Sequence, residues 1–307
     1  MLRWFSFRPD PRKLITIVTR SSYDTRESYD SVGRVNAVGL NGQSLVGSIT
    51  WQPSGAMRSW TQGNGRAVTR SFDRNGRLTA HNFDSGTRTL AYDAKSRIAQ
   101  VTEPWGNRLF GYDAADRLTA EQTWSGTWSY GWDGNGNRLS QTTPFGSTSY
   151  SLAPGTNQLS SASGQDARGF GHDAAGNMIG EGTYVYTYDA RNRLAGAGGS
   201  SYAHDALGRR VLKTTAAGNR YYAHDEHRRV IGEYDDAGSL GEMVWLGSTP
   251  VAYLKGGQTY WIDADQINAP RALRNASDQI VWRWRSEAFG SQAAEEDPSG
   301  LGAFEFN

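Results

Sequence analysis

The chain has 307 residues, 37 of them glycine, 9 proline and none cysteine, with 32 basic against 31 acidic side chains. Without cysteine there can be no disulfide and no thiolate metal site, which leaves the compartment open. So even a charge balance lacks the basic surplus of a nucleic-acid footprint. A mean hydropathy of −0.64 is low for a globular core and suits sheets that face water on one or both sides.

In chain order, residues 1–20 form a lead-in. Arg3, Arg8, Arg12 and Lys13 interrupt any apolar run, so the segment is neither a good signal peptide nor a membrane span, and nothing later is apolar enough to span a bilayer. From residue 21 an aromatic-Asp dipeptide takes over. Tyr29-Asp30 is followed by Phe72-Asp73, Tyr92-Asp93, Tyr112-Asp113 and Trp132-Asp133, the last four at steps of 20. After a gap of 40 come His172-Asp173, Tyr188-Asp189, His204-Asp205 and His224-Asp225, at steps of 16, 16 and 20. Trp51-Gln52 and Tyr150-Ser151 read as worn copies that fill the gaps. A short period repeated this often means an array of one supersecondary unit, not a fold built round a single active site.

Within each unit the residues before Asp alternate with the period of a strand: Tyr184, Tyr186 and Tyr188 share one face, Val185 and Thr187 the other. Counting Asp as the first, the fourth residue is Gly76, Ser96, Asp116, Gly136, Gly176, Asn192, Gly208 or Arg228. Most of these types tolerate positive φ, and an Asp at the turn start can bond backbone N–H two residues on. Ser96 and Arg228 suit the pattern less well. A unit of 20 residues holds two strands of about six residues and two short connections. The expected fold is therefore all-β, a meander of hairpins that stack their aromatics on their neighbours. A β-propeller, with blades of about 40 residues, is the rival, and the 16-residue steps disfavour it.

These units resemble the YD repeats of bacterial rearrangement-hotspot (Rhs) proteins, insecticidal-toxin C components and teneurins. A second block, Tyr260-Trp261-Ile262-Asp263-Ala264-Asp265-Gln266-Ile267-Asn268-Ala269-Pro270-Arg271, resembles the Rhs core signature, with Gln266 in place of the usual His and Ala269 in place of Thr. Asp278 to Trp282 and then Ala288-Phe289-Gly290 are similar to its continuation, with Ala288 where Pro is common. The resemblance implies hairpins that spiral as a curved, open sheet, part of a YD shell enclosing a C-terminal toxin. It divides the chain into a lead-in (1–20), a YD-repeat array (21–240), core-associated hairpins (241–291) and an acidic, glycine-containing tail (292–307). It also implies that this chain is a piece of a longer array.

Several residue groups suggest chemistry, and each has a plainer reading. The pairs His172-Asp173, His204-Asp205 and His224-Asp225 carry metal-ligand types, yet each His fills the slot of a repeat aromatic. Asp133-Gly134-Asn135-Gly136-Asn137 begins like a calcium loop, but Arg138 replaces its sharp-turn glycine. Gly196-Ala197-Gly198-Gly199 lacks the lysine and helix of a phosphate loop. Asp297-Pro298-Ser299-Gly300-Leu301 resembles the Rhs self-cleavage motif but stands too early in the array. Trp282 and Trp284 could form a ligand platform, with core packing of a hairpin as the default.

The sequence thus predicts a non-catalytic structural segment with no catalytic, cofactor-binding or metal residues and no cofactor. The resemblance supplies the partners: a toxin domain or other Rhs chain segments, and a secretion apparatus. The competing expectation is a cell-surface carbohydrate- or protein-binding module using rows such as Tyr184, Tyr186 and Tyr188. Self-association through open strand edges is expected in either case. The resemblance places the protein in the cytoplasm before export, or outside the cell.

Overall fold

The computed structural model describes residues 15–16 and 25–306; most of the lead-in lies outside them. Among the described residues the chain is all-β, with 28 strands and no helix, and every strand pairing described is antiparallel. It divides into two compact units: Met1–Arg70, Tyr222–Arg285 and Gln292–Asn307 form the first, Ser71–Tyr221 and Ser286–Ser291 the second.

The first unit holds the apolar core. Val35, Val38, Val46, Val244, Leu246 and Val251 come from strands far apart in sequence and are buried together. Two indoles lock the layers by donating to backbone carbonyls, Trp51 Nε1 to Val35 O and Trp261 Nε1 to Leu45 O, each at 2.8 Å. A second cluster joins Tyr253, Ile262, Leu273 and Trp282 to Phe304 and Phe306 near the C-terminus. The Phe306 ring stands edge-on to Trp282 at 4.8 Å and to Tyr253 at 4.9 Å, and Glu295 takes the Arg283 guanidinium in a fork, at 3.1 and 2.6 Å. Residues 292–306, acidic in composition, are thus anchored by alternating phenylalanines.

The second unit is a hairpin meander in which two kinds of connection alternate. One kind is the Asp turn and the other a two-residue tip, as between Leu118–Thr123 and Gly126–Trp132. In the 20-residue steps the strands run six or seven residues, Arg168–His172 with five excepted; in the 16-residue steps they shorten to four or five, as in Met178–Glu181 and Tyr184–Tyr188. Removing residues in pairs keeps the side-chain parity, so no face flips between long and short hairpins. Phe83, Leu90, Val101, Trp128 and Tyr130 are buried, whereas no residue from 163 to 221 is. That two-faced exposure accounts for the low mean hydropathy.

One expected copy is corrected. The unit between Asp133 and Asp173 does not turn at Tyr150-Ser151: the bulge falls between Ser151 and Leu152, and Ala153 N donates to Gln158 O. Leu152-Ala153 is the copy, in step with its neighbours, and Tyr150 holds the same place as Tyr130, three before the turn residue. Both signature residues have been replaced there, which hid the register.

Candidate functional site

The feature that recurs at nearly every repeat is the turn built by its Asp. At Asp93, Ser96 N donates to Asp93 O at 3.0 Å and Asp93 N to Arg97 O at 2.9 Å, a type I turn followed by a residue in the left-handed region and a bulge. One carboxylate oxygen accepts two backbone N–H groups, from Lys95 and Arg97, each at 2.9 Å, and the other accepts Arg97 Nε at 2.7 Å. Asp73 with Arg77, Asp113 with Arg117, Asp189 with Arg193 and Asp205 with Arg209 repeat this set. At Asp133 and Asp173 an asparagine amide, Asn137 or Asn177, replaces the guanidinium.

Each turn also grips the next. Tyr92 OH donates to Leu78 O, Tyr112 OH to Ile98 O and Trp132 Nε1 to Leu118 O, all at 2.8 Å, so the signature aromatic reaches back to the residue after the preceding turn. The preceding guanidinium covers that ring: Arg77 lies 4.5 Å from the Tyr92 centroid and Arg97 4.5 Å from Tyr112. Arg97 Nη1 then donates to Asp116 Oδ1 at 2.7 Å and Arg193 Nη1 to Asp205 O at 3.1 Å. Asp, Arg and aromatic therefore form a ladder along the second unit that is broken at Leu152-Ala153, and a repeat without a neighbour leaves the bonds between repeats unmade.

These contacts hold the turn carboxylates below the ordinary range. The guanidinium hydrogen bond is the largest cause at Asp93, Asp113 and Asp189, the last brought down to about 2. The arginine backbone N–H is the largest at Asp30, Asp73 and Asp205, and the asparagine amide at Asp133 and Asp173.

Ser96 and Arg228, less suited by residue type, adopt the left-handed region all the same, at φ 66° for both. The five hydrogen bonds of the turn override the residue's own preference, at a cost of about 1–2 kcal/mol for a side chain with a Cβ. Arg228→Gly is expected to stabilise the protein by about 0.5–1 kcal/mol, the strain relieved less the entropy of glycine. Thermal melting of the two proteins side by side checks this.

At the opposite ends of the strands the tips stack as well. A Cβ on Gly126, itself at φ 139°, would lie 2.5 Å from Cγ of Pro144 on the following tip. Gly126→Ala is expected to cost about 1–3 kcal/mol, and Pro144→Ala in the same chain should recover part of it. A double-mutant cycle by urea unfolding reads the coupling.

The other groups suggested by sequence fall as follows. His172 and His204 are half-buried at the aromatic slot, and their Asp partners are occupied by the turn bonds. Asp225, Glu226 and His227 bring ligand atoms within 4.8 Å of one another, but the Asp225 carboxylate accepts His227 N, Arg229 N and Arg229 Nε. Asp133 spends its oxygens on Asn135 N, Asn137 N and the Asn137 amide. Gly198 and Gly199, both at positive φ, make a two-residue hairpin turn. Asp297 Oδ1 accepts Leu301 N at 2.7 Å and Gly302 N at 3.1 Å, capping its own loop. Trp282 is buried against Phe306, and Trp284 lies under Arg271 with its Nε1 donating to Gln292 O. Tyr184 is exposed while Tyr186 and Tyr188 are half-buried.

Sequence reasoning missed two further Asp-type turns in the core-like block. Asp265 takes Ile267 N, Ala269 N and Arg271 Nε, with Asn268 at φ 64°; Asn275 takes Ser277 N and Gln279 N, with Asp278 at φ 59°. The signal was present as Asp or Asn followed three residues on by Asn or Asp.

Residues 107–306 match the family described as Teneurin YD-shell. The chain belongs to that family, a structural one built from hairpin shells. No curated protein sequence matches it. Among solved structures, 87% of this chain aligns with 17% of the matched chain in the crystal structure of TcdB2-TccC3, at 15% identity and a TM-score of 0.65. The same complex without its hypervariable C-terminal region aligns over the same shares at 13% identity and 0.58. The Tc holotoxin pore of Photorhabdus luminescens aligns over 87% and 16%, at 13% identity and 0.51. At such identity the likeness is one of fold, and the chain spans less than a fifth of those chains. No helix of the described residues is long and apolar enough to cross a membrane.

Proposed function

We propose that this chain is a structural segment of a larger shell that encloses and delivers a polypeptide toxin carried on the same gene product, and that it works without catalysis. The turn ladder carries this reading: Arg97, Arg117 and Arg193 each bond the next turn, so the array is built to be extended. The Asp carboxylates of the repeats, which could otherwise serve as acids, bases or ligands, are spent on turns. The fold shared with the Tc holotoxin pore of Photorhabdus luminescens, of whose matched chain this chain spans about a sixth, supports the reading.

The test is protease protection of the whole natural gene product. A polypeptide encoded after the array should resist digestion when the array is intact and become sensitive when the ladder is broken by substitutions at Asp93, Asp113 and Asp189. Equal digestion in both cases would reject enclosure.

Among the described residues the strand Thr25–Tyr29 pairs with Val35–Leu40. Unpaired edges recruit strands, so the chain made alone is expected to self-associate with rising concentration. Light scattering that reports a monomer throughout would contradict this.

A further inference from the structure

The short segment Ser286–Ser291 belongs to the second unit and shows what the array's aromatic face accepts. Ala288 N donates to Glu121 Oε2 at 2.6 Å, and the Phe289 ring meets Tyr130 edge-on at 4.7 Å and Trp132 at 6.5 Å. Tyr130 OH reaches Glu287 Oε2 at 3.5 Å. On its other side Glu121 is paired with Arg108, Nε to Oε1 at 2.7 Å, and Arg108 lies 5.4 Å from the Phe110 centroid. Glu121 is fully buried, and Tyr130 and Trp128 nearly so.

The repeat builds this arrangement a second time. Arg168, Phe170 and Glu181 stand at the same places relative to Asp173 as Arg108, Phe110 and Glu121 do relative to Asp113. The contacts agree: Arg168 Nε lies 2.8 Å from Glu181 Oε1 and its guanidinium 5.6 Å from the Phe170 centroid. The registers agree too, with Phe110 opposite Glu121 and Glu121 opposite Trp128, and with Phe170 opposite Glu181 and Glu181 opposite Tyr184. Tyr186 and Tyr188 then hold the places of Tyr130 and Trp132. Burial differs: the Glu181 side chain is 25% exposed and Tyr184 is 61% exposed. Glu181 Oε2, the counterpart of the atom that receives Ala288 N, instead takes Tyr186 OH at 2.9 Å.

We infer that Arg168, Glu181, Tyr186 and Tyr188 form a binding site for a turn-forming segment of a second polypeptide of acidic–small–aromatic sequence, seated as the Glu287–Gly290 turn, closed by Gly290 N donating to Glu287 O at 3.1 Å, is seated at Glu121 and Tyr130. Its backbone N–H bonds Glu181 Oε2, its aromatic ring stands against Tyr186 and Tyr188, and its acidic residue takes over the Tyr186 hydroxyl. The site lacks a counterpart to Arg138, which lies 4.9 Å from the Phe289 ring in the filled copy; Leu194 stands there. Affinity is therefore lower than a filled site with that cation would give. The inference does not depend on the shell reading.

The test titrates the full chain with the capped peptide of residues 286–291, Ser-Glu-Ala-Phe-Gly-Ser, by heteronuclear NMR. Saturable binding with a dissociation constant of about 0.1–1 mM is expected, with the shifts centred on Glu181 and Tyr186. It should weaken at least about tenfold, a loss of one close aromatic contact with its burial, when the peptide carries Phe289→Ala or the chain carries Tyr186→Ala. Both chain positions are exposed enough for Tyr186→Ala and Glu181→Gln to keep the fold, which the unchanged remainder of the spectrum verifies. Lack of saturation, or Glu181→Gln and Tyr186→Ala chains that bind as tightly as the parent, overturns the assignment; shifts centred on Tyr130 overturn it too, since the peptide then only displaces the chain's own segment.

Discussion

Asp263→Ala should destabilise the first unit by about 3–5 kcal/mol, the usual cost of removing one partner from a buried ion pair. The Asp263 side chain is 1% exposed and is flanked by two guanidiniums, Arg66 and Arg274, themselves 12% and 6% exposed. Arg274 Nε lies 3.0 Å from Asp263 Oδ2, Arg66 Nη1 bonds the other oxygen, and Arg274 Nη1 continues to Asp278. Without the carboxylate both cations lose their principal counter-charge in a site with little access to water. Asp263→Asn keeps the shape and should cost less. Urea unfolding monitored by tryptophan fluorescence reads both, and an Asp263→Ala transition within about 1 kcal/mol of the parent would contradict the account. The residue lies inside the block Tyr260 to Arg271 that resembles the Rhs core signature, and its role there is to hold strands distant in sequence together.

Acid should dismantle the ladder. Eight turn carboxylates have folded-state pKa values below their unfolded ones: Asp30, Asp73, Asp93, Asp113, Asp133, Asp173, Asp189 and Asp205. A group with a depressed folded pKa adds stability that is fully present above its unfolded value, near 3.9 for Asp, and is lost as pH falls through the folded value. With Asp189 at about 2, the window runs from roughly pH 4 down to pH 2. Because Arg97, Arg117 and Arg193 each bond the next turn, the loss should be cooperative over the second unit, with a steeper slope than one carboxylate produces. Asp93→Asn, Asp113→Asn and Asp189→Asn together should lower stability at neutral pH and flatten the acid slope. Circular dichroism from pH 7 to pH 2 reads this, and a melting temperature independent of pH below 4 would show that these carboxylates do not hold the turns.

The repeat, its hairpins and the Asp turn were legible because they are local: the aromatic-Asp spacing fixes the period, and the side-chain capacity of Asp fixes the turn. Residue type misjudged Ser96 and Arg228, since five hydrogen bonds and a fixed register outweigh the preference of one residue for its own φ. The turn at Leu152-Ala153 was hidden because both signature residues are gone; only the constant step and the Tyr150 face reveal it. The reach of Arg97 to Asp116 and of Tyr112 to Ile98 could not be read from a single repeat, because these bonds exist only between repeats. The seating of Phe289 against Tyr130 is longer in range still. In sequence it is an isolated aromatic after a small residue, without period. The Phe304 and Phe306 anchors did leave a trace, an alternation at the end of an acidic stretch, which composition alone obscured.

The measurement that tests the central claim most directly is an electron cryomicroscopy structure of the complete natural gene product. The account expects residues 25–306 to keep the ladder, with rungs continued by repeats beyond this chain, and density for a separate polypeptide on the inner side of the resulting wall. A ladder that ends with this chain, with no neighbouring repeats and nothing enclosed, would contradict it.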